Sequence, residues 1–273
     1  TADVFDLTLK SAASLTAGTV ALAGVETINI NSVDTDTSTA SGLNANTLTL
    51  SATAAKSIVV TGNTDLALTN TTEVLVTSFD ASAATGDITY TSANSTFAEL
   101  VTIKGGAGDD ILTGTASAND TIIGGAGVDT LVYTGRADTF TGGAGNDIFK
   151  IEADGTKALH LTITDLTKGD IINLTTVAAG TSVFSGGSAA AAKVTLGASA
   201  TFDEYLDAAT TGNAAAATNS VTSWFQFEGN TYLINDNTNA DGFADTADTI
   251  VKITGLVDLS TSSYTAADII TIA

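Results

Sequence analysis

Three aspartates close glycine-rich turns that recur along the chain: Asp110 in GGAGDDILT (Gly105 to Thr113), Asp129 in GGAGVDTLV (Gly124 to Val132) and Asp147 in GGAGNDIFK (Gly142 to Lys150). Glycine lets the backbone of such a turn adopt conformations that point peptide carbonyls inward. Each turn therefore offers carbonyl and carboxylate oxygens, and neither nitrogen nor sulfur. An all-oxygen donor set with six or more ligands selects calcium over zinc or copper, and magnesium fits less well because it keeps its waters and demands a small octahedron. The turns open at Gly105, Gly124 and Gly142, at intervals of 19 and 18 residues. If two nine-residue units make one coil, the turns stack on one edge and bring their carboxylates within a few ångströms. Like charges so placed are unfavourable unless a cation lies between them. The expected sites lie between Asp110 and Asp129 and between Asp129 and Asp147.

Two further units fill the intervals. GTASANDTII (114–123) carries Asp120 with one inserted residue, and YTGRADTFT (133–141) keeps Asp138 and the apolar pair. With them the register runs for five consecutive units. Asp120 and Asp138 would line the opposite edge, where Arg136 beside Asp138 makes a cation site poorer. Within the intact units, Ile111, Leu131 and Ile148 are expected to pack beneath the turns. One unit is then a turn plus a short strand.

The elements that must position these turns are strands. GVETINI (24–30), NTLTLSA (46–52), KSIVVTG (56–62), DLALTN (65–70), EVLVTSF (73–79), GDITYTS (86–92) and ELVTIKG (99–105) alternate polar and apolar residues, the period of a strand with one face inward. Their spacing suits stacked solenoid rungs or a sandwich. After residue 150 the repeat is lost. SATFDEYLDAA (199–209) reads as a helix, with Thr201 and Glu204 as a capping box and Phe202, Tyr205 and Leu206 on one face. WFQFEGNTYLIND (224–236) reads as a hairpin turning about Glu228, Gly229 and Asn230. The alanine runs at 189–192 and 214–217 read as loops or short helical turns.

Composition narrows the partners. Thirty acids against nine bases give a net charge of −21, which repels nucleic acid and favours cations. The acids are 24 Asp and six Glu, a skew toward the residue that favours turns. With no Cys, disulfides, zinc thiolates and a thiol nucleophile are excluded. No apolar stretch reaches the ~20 residues of a membrane helix. TADVFDLTLK lacks the pattern of a cleaved signal, and the leading Thr suggests part of a longer protein.

GGAGDDILT, GGAGVDTLV and GGAGNDIFK resemble the calcium-binding nonapeptides of RTX proteins, which form a parallel β-roll. The resemblance implies that carbonyls of positions one and three in one turn, and of two and four in the turn stacked on it, join the sixth-position aspartates. Carried over, these are Gly105 and Ala107 with Gly125 and Gly127, then Gly124 and Ala126 with Gly143 and Gly145. It also implies export through type I secretion machinery, read from a C-terminal signal to which ITDLTKGDIINL (163–174) and the closing DIITIA are similar. More broadly, DVFDLTL, AGTVALAGVETINI, KSIVVTGN, ANDTIIGGAGVDTLVYTG and WFQFEGNTYLIND resemble the C-terminal part of RTX-type bacterial S-layer proteins. That likeness implies a calcium-dependent two-dimensional lattice on the cell surface, with an outer-surface polysaccharide as a further partner through some other part of the protein. A folding and export module of a secreted enzyme or adhesin is the competing expectation.

The expected fold is all-β: a parallel β-solenoid or β-roll with calcium-binding turns and an irregular C-terminal cap. Residues 1–104 would be strand-rich, 105–150 the roll, and 151–273 the cap with the secretion signal. Asp80, Asp87, Asp236, Asp241, Asp245 and Asp248 are secondary calcium candidates, although NDNTNADGFADTAD lacks the EF-hand spacing. His160, the one histidine, has no second His or Cys with which to build a zinc site, and no local triad signature. Trp224, Phe225 and Phe227 read as packing. No nucleophile elbow or phosphate loop is present, so an enzyme is not expected.

Overall fold

The computed structural model describes residues 2–35, 44–72, 74–96, 99–152, 157–174, 183–184, 192–211, 221–237, 242–245, 247–265 and 269–273. The first alanine run up to residue 191, the second alanine run, Asp241 and Asp268 lie outside the described residues. The chain forms two compact units, Thr1–Val132 with Thr141–Asp147, and Tyr133–Phe140 with Ile148–Ala273.

The first unit alternates strands and turns: β1 (Val4–Ser11), β2 (Thr16–Leu22), β3 (Thr27–Asp34), β4 (Ala45–Ala52), β5 (Ser57–Gly62), β6 (Asp65–Asn70), β7 (Ser78–Ala84), β8 (Ile88–Thr91), β9 (Thr102–Lys104), β10 (Ile111–Thr113), β11 (Thr121–Ala126) and β12 (Thr130–Tyr133). Odd-numbered strands from β1 to β11 pair in one sheet and even-numbered strands from β2 to β12 in a second. The pairings are parallel throughout. Each strand thus lies beside the one two places earlier. That makes the unit a two-sided parallel β-solenoid, as expected, and rules out the sandwich.

The core follows from the alternation. Ile28, Ile58, Phe79, Ile103 and Ile122 are in register along one sheet, and Leu48, Leu68, Tyr90, Leu112 and Leu131 along the other; all are buried. Thr and Asn between them face outward. Phe79 and Tyr90 stack across the interior with ring centroids 3.7 Å apart. Burying each such side chain contributes about 1.5–3 kcal/mol.

Several strands differ from the sequence reading. The run at 73–79 becomes a strand only at Ser78; Val74 and Leu75 lie in a turn and are partly exposed. The run at 24–30 becomes one only at Thr27. Strands β1 and β2 precede the first run that the alternation picks out.

The second unit contains β13 (Thr139–Ala144) through Thr139 and Phe140, β14 (Ile148–Ile151), β15 (Leu161–Ile163), β16 (Ile171–Asn173), β17 (Val183–Phe184), β18 (Ala192–Lys193), α1 (Phe202–Thr210), β19 (Val221–Phe227), β20 (Asn230–Asp236), β21 (Thr249–Ile253), β22 (Ser263–Thr265) and β23 (Ile269–Thr271). Parallel pairing persists in β13 with β15, β14 with β16, and β15 with β21. Antiparallel pairing then takes over in β19, β20 and β21 and in β16, β23 and β22. This mixture is the irregular cap.

The capping box forms as read: Glu204 N–H donates to the Thr201 hydroxyl, and Thr201 N–H to the Glu204 carboxylate. Leu206 and Ala209 join Phe225, Ile234 and Ile250 in the apolar cluster beneath α1, with Phe202 packed against it. The hairpin turns on Glu228 (φ 46°) and Gly229 (φ 77°), while Asn230 already pairs with Phe227. A two-residue turn with both φ positive matches strand twist.

Candidate metal centre

The three intact turns stack in register on one edge of the first unit. A Cβ added at Gly105 would collide with the Gly124 carbonyl, at Gly125 with the Gly106 carbonyl, and at Gly143 with the Gly125 carbonyl. Fourth-position glycines stack in the same way, Gly127 on Gly108 and Gly145 on Gly127. Gly125, Gly127, Gly143 and Gly145 have φ between 106° and 143°, where a side chain is strained. The first glycines have no such φ. They are required because their own turn's carboxylate packs against them: Asp110 on Gly105, Asp129 on Gly124, Asp147 on Gly142.

Asp110, Asp129 and Asp147 are all buried and form one ladder. Asp110 Oδ1 accepts from Ile88 N–H at 2.7 Å, Asp129 Oδ1 from Asp110 N–H at 2.8 Å, and Asp147 Oδ1 from Asp129 N–H at 3.0 Å. Asp110 Oδ2 also accepts from Gly106 N–H at 2.6 Å. Asp129 Oδ2, fully buried, has no hydrogen-bond partner among the described residues. Burial, followed by neighbouring carboxylates, pushes Asp110 up to about 6 and Asp129 to about 7 from an ordinary 3.8. Backbone donors oppose the shift without cancelling it.

The residues that pack beneath the turns are not all those read from the sequence. Ile111 is 47% exposed and Ile148 half-buried, whereas Leu112, Leu131 and Phe149 are fully buried. The aspartate itself faces inward, so the next residue of the strand faces out and the one after it faces in.

A second ladder, not read from the sequence, runs one residue earlier in each rung. Asp65 Oδ1 accepts from Asp87 N–H at 2.9 Å, Asp87 Oδ1 from Asp109 N–H at 2.7 Å, and Asp109 Oδ1 from Val128 N–H at 2.6 Å. Its hydrogen bonds run in the opposite sense. Asp87 and Asp109 are exposed. The signal available was the recurrence of Asp just before the inward position of DLALTN and GDITYTS.

Asp120 lies between β10 and β11, away from these ladders. It repeats their local geometry, since it packs on Gly114 and its carboxylate accepts the Thr115 and Val101 N–H groups. Burial raises it to about 6. Asp138, in the second unit, is also buried, and the preceding Arg136 takes φ 76°, the left-handed conformation that Gly127 and Gly145 adopt at the same place in their units.

The secondary candidates are engaged otherwise. Asp80 accepts from the Ser82 hydroxyl at 2.6 Å and lies 3.5 Å from Lys104 Nζ; the hydroxyl first, then the lysine, holds its carboxyl below the usual range. Asp245 accepts from Lys157 N–H. Asp248 accepts from Asn237 and Ala244 N–H and is raised by burial. Asp236 is buried. His160 sets its ring edgewise to Tyr232, and Trp224 and Phe225 are buried.

Among the described residues, no three Asp, Glu or His side chains converge as a metal cluster. A cation on the intact edge must draw on two carboxylates and complete its shell with carbonyls. The chemistry fits calcium, since the donors are oxygens, glycine clears the space around them, and Asp129 Oδ2 is buried without a protein donor.

The sequence comparisons agree. Residues 105–133 and 134–150 match the family described as RTX calcium-binding nonapeptide repeat (4 copies). No curated protein shows a match to the chain. RTX repeat proteins are generally secreted, and among the described residues no helix is long and apolar enough to cross a membrane. Residues 105–150 are RTX calcium-binding nonapeptide repeats, and calcium is the ion these repeats bind.

Proposed function

We propose that the chain is a secreted structural protein, exported by type I secretion machinery and assembling into a calcium-dependent S-layer lattice on the cell surface. Calcium would be held between Asp110 and Asp129, with carbonyls of Gly105, Ala107, Gly125 and Gly127. A second ion would lie between Asp129 and Asp147, with Gly124, Ala126, Gly143 and Gly145. Asp120 and Asp138 are weaker ligands of the opposite edge. In this reading residues 105–150 are the ion-binding stretch and 151–273 a cap that also carries the export signal.

The observation that carries the reading is the continuity of the first unit. The coil of β1 to β8 passes into the repeat through β9 and β10 with parallel pairing unbroken, so the described strands before residue 105 continue the same solenoid as the repeat. Bound calcium supplies positive charge against carboxylates that burial disfavours, and its binding free energy offsets the ordering of a glycine-rich chain. In a low-calcium cytosol the chain stays loose; outside it orders.

Electron microscopy of the purified chain in millimolar calcium and in chelator, with circular dichroism on the same samples, tests this. Ordered sheets only with calcium support the lattice. Folded, monodisperse particles favour a folding and export module of a secreted enzyme or adhesin, and an absent calcium response overturns the ligand assignment.

A further inference from the structure

In the second unit, three polar side chains lie abreast on one face of β19, β20 and β21. Thr222 is directly opposite Asn235, and Asn235 directly opposite Thr249. All three are buried, Thr222 and Asn235 completely. Their neighbours on the same face two residues along are apolar: Trp224, Leu233 and Val251.

Asn235 is the anomaly. Neither its Oδ1 nor its Nδ2 has a hydrogen-bond partner among the described residues, and the same holds for Thr222 Oγ1. Exchanging the amide oxygen and nitrogen changes nothing, since both atoms are unpartnered. Directly opposed side chains on adjacent antiparallel strands have Cβ atoms roughly 4.5–5.5 Å apart, so the unpaired groups of Thr222 and Asn235 face a common space. Buried polar groups left like this destabilise a fold, and native interiors pair them with protein or ordered water.

We propose that a buried water bridges Asn235 and Thr222. The guest must donate to an amide oxygen and accept from an amide N–H. Water does both. A metal ion does not, because Nδ2 offers it no lone pair. The neighbouring carboxylates do not serve either: alternation turns Asp236 to the opposite face, and Asp248 is occupied by Asn237 and Ala244 N–H. The row lies near the strand ends, since Asn235 is the penultimate residue of β20, Thr222 the second of β19 and Thr249 the first of β21.

A crystal structure of the calcium-loaded full chain, at a resolution that shows ordered water, is the direct test. The expected result is a density peak about 2.7–3.2 Å from Thr222 Oγ1 and from an Asn235 amide atom. An empty space there, or an amide bonded directly to another protein group, overturns the proposal. In solution, the variants T222V and N235L and their double are compared by thermal unfolding in calcium. A shared water makes each single change lower Tm by about 2–4 °C, and the double by less than their sum. If either single change raises Tm, or the two losses simply add, no shared guest exists.

Discussion

Two stretches of the same inward row behave oppositely. Leu66 lies in register with Ile88, and the next rung continues the row with Asp110, whose carboxylate accepts the Ile88 N–H; Asp129 and Asp147 follow. All five residues are buried. In the earlier rungs the row is apolar and stabilises the coil by burial alone. In the later ones it is carboxylate in a shell that excludes water, which raises Asp129 to about 7. The backbone fold is common to both, so the difference isolates what the side-chain row contributes: apolar burial in the earlier rungs, buried carboxylates in their continuation.

The largest effect should come from removing calcium. In chelator, hydrogen exchange read by mass spectrometry should show residues 105–147 losing protection while 45–91 retain it. Equal loss in both would mean the rungs unfold as one cooperative unit and the contrast is only local.

Converting the row comes next. Asp129→Leu should raise the Tm of the metal-free chain at pH 8, because it removes a carboxylate that burial, then the neighbouring Asp110 and Asp147, disfavour, and should abolish the calcium-induced rise in Tm. A variant that still gains stability from calcium would remove Asp129 from the ligand set.

Packing beneath the turns separates two adjacent residues. Leu112→Ala should cost about 2–5 kcal/mol, and Ile111→Ala no more than about 0.5 kcal/mol, as for surface changes. Denaturant unfolding in calcium measures both; the reverse ranking would restore the packing read from the sequence.

A further test is the dependence on pH. Asp110, Asp120 and Asp129 have raised folded values, so without metal their contribution to stability is complete below 3.8 and is lost as pH climbs through about 6 to 7. In chelator, Tm should therefore fall from pH 5 to pH 8. With calcium present the trend should reverse, because protons compete for the same carboxylates. A chelated chain whose Tm rises toward pH 8 would contradict the burial of these groups.

Much of this is legible in the sequence. The 19- and 18-residue intervals set the stack, and Thr201 with Glu204 set the start of α1, because both are local patterns with a physical cause. The partition beneath the turns was not legible by eye, since Ile111 and Leu112 are equally apolar and only the inward direction of Asp110 decides between them. The Asp65, Asp87 and Asp109 ladder steps evenly by 22 residues, but its aspartates sit in stretches with no common motif, DLALTN, GDITYTS and GGAGDDILT, so nothing local marks them as one row.

The opposed sense of the two carboxylate ladders gives each turn a front and a back. A turn's inner amide is satisfied by the turn after it, and its outer amide by the turn before it. The glycine-rich stack can therefore be lengthened by inserting whole coils, but clipping it at either end strands a donor on one ladder. Evolution can tune the number of ions such a protein carries by duplicating complete coils, while partial insertions would be rejected at the first amide left without its neighbour.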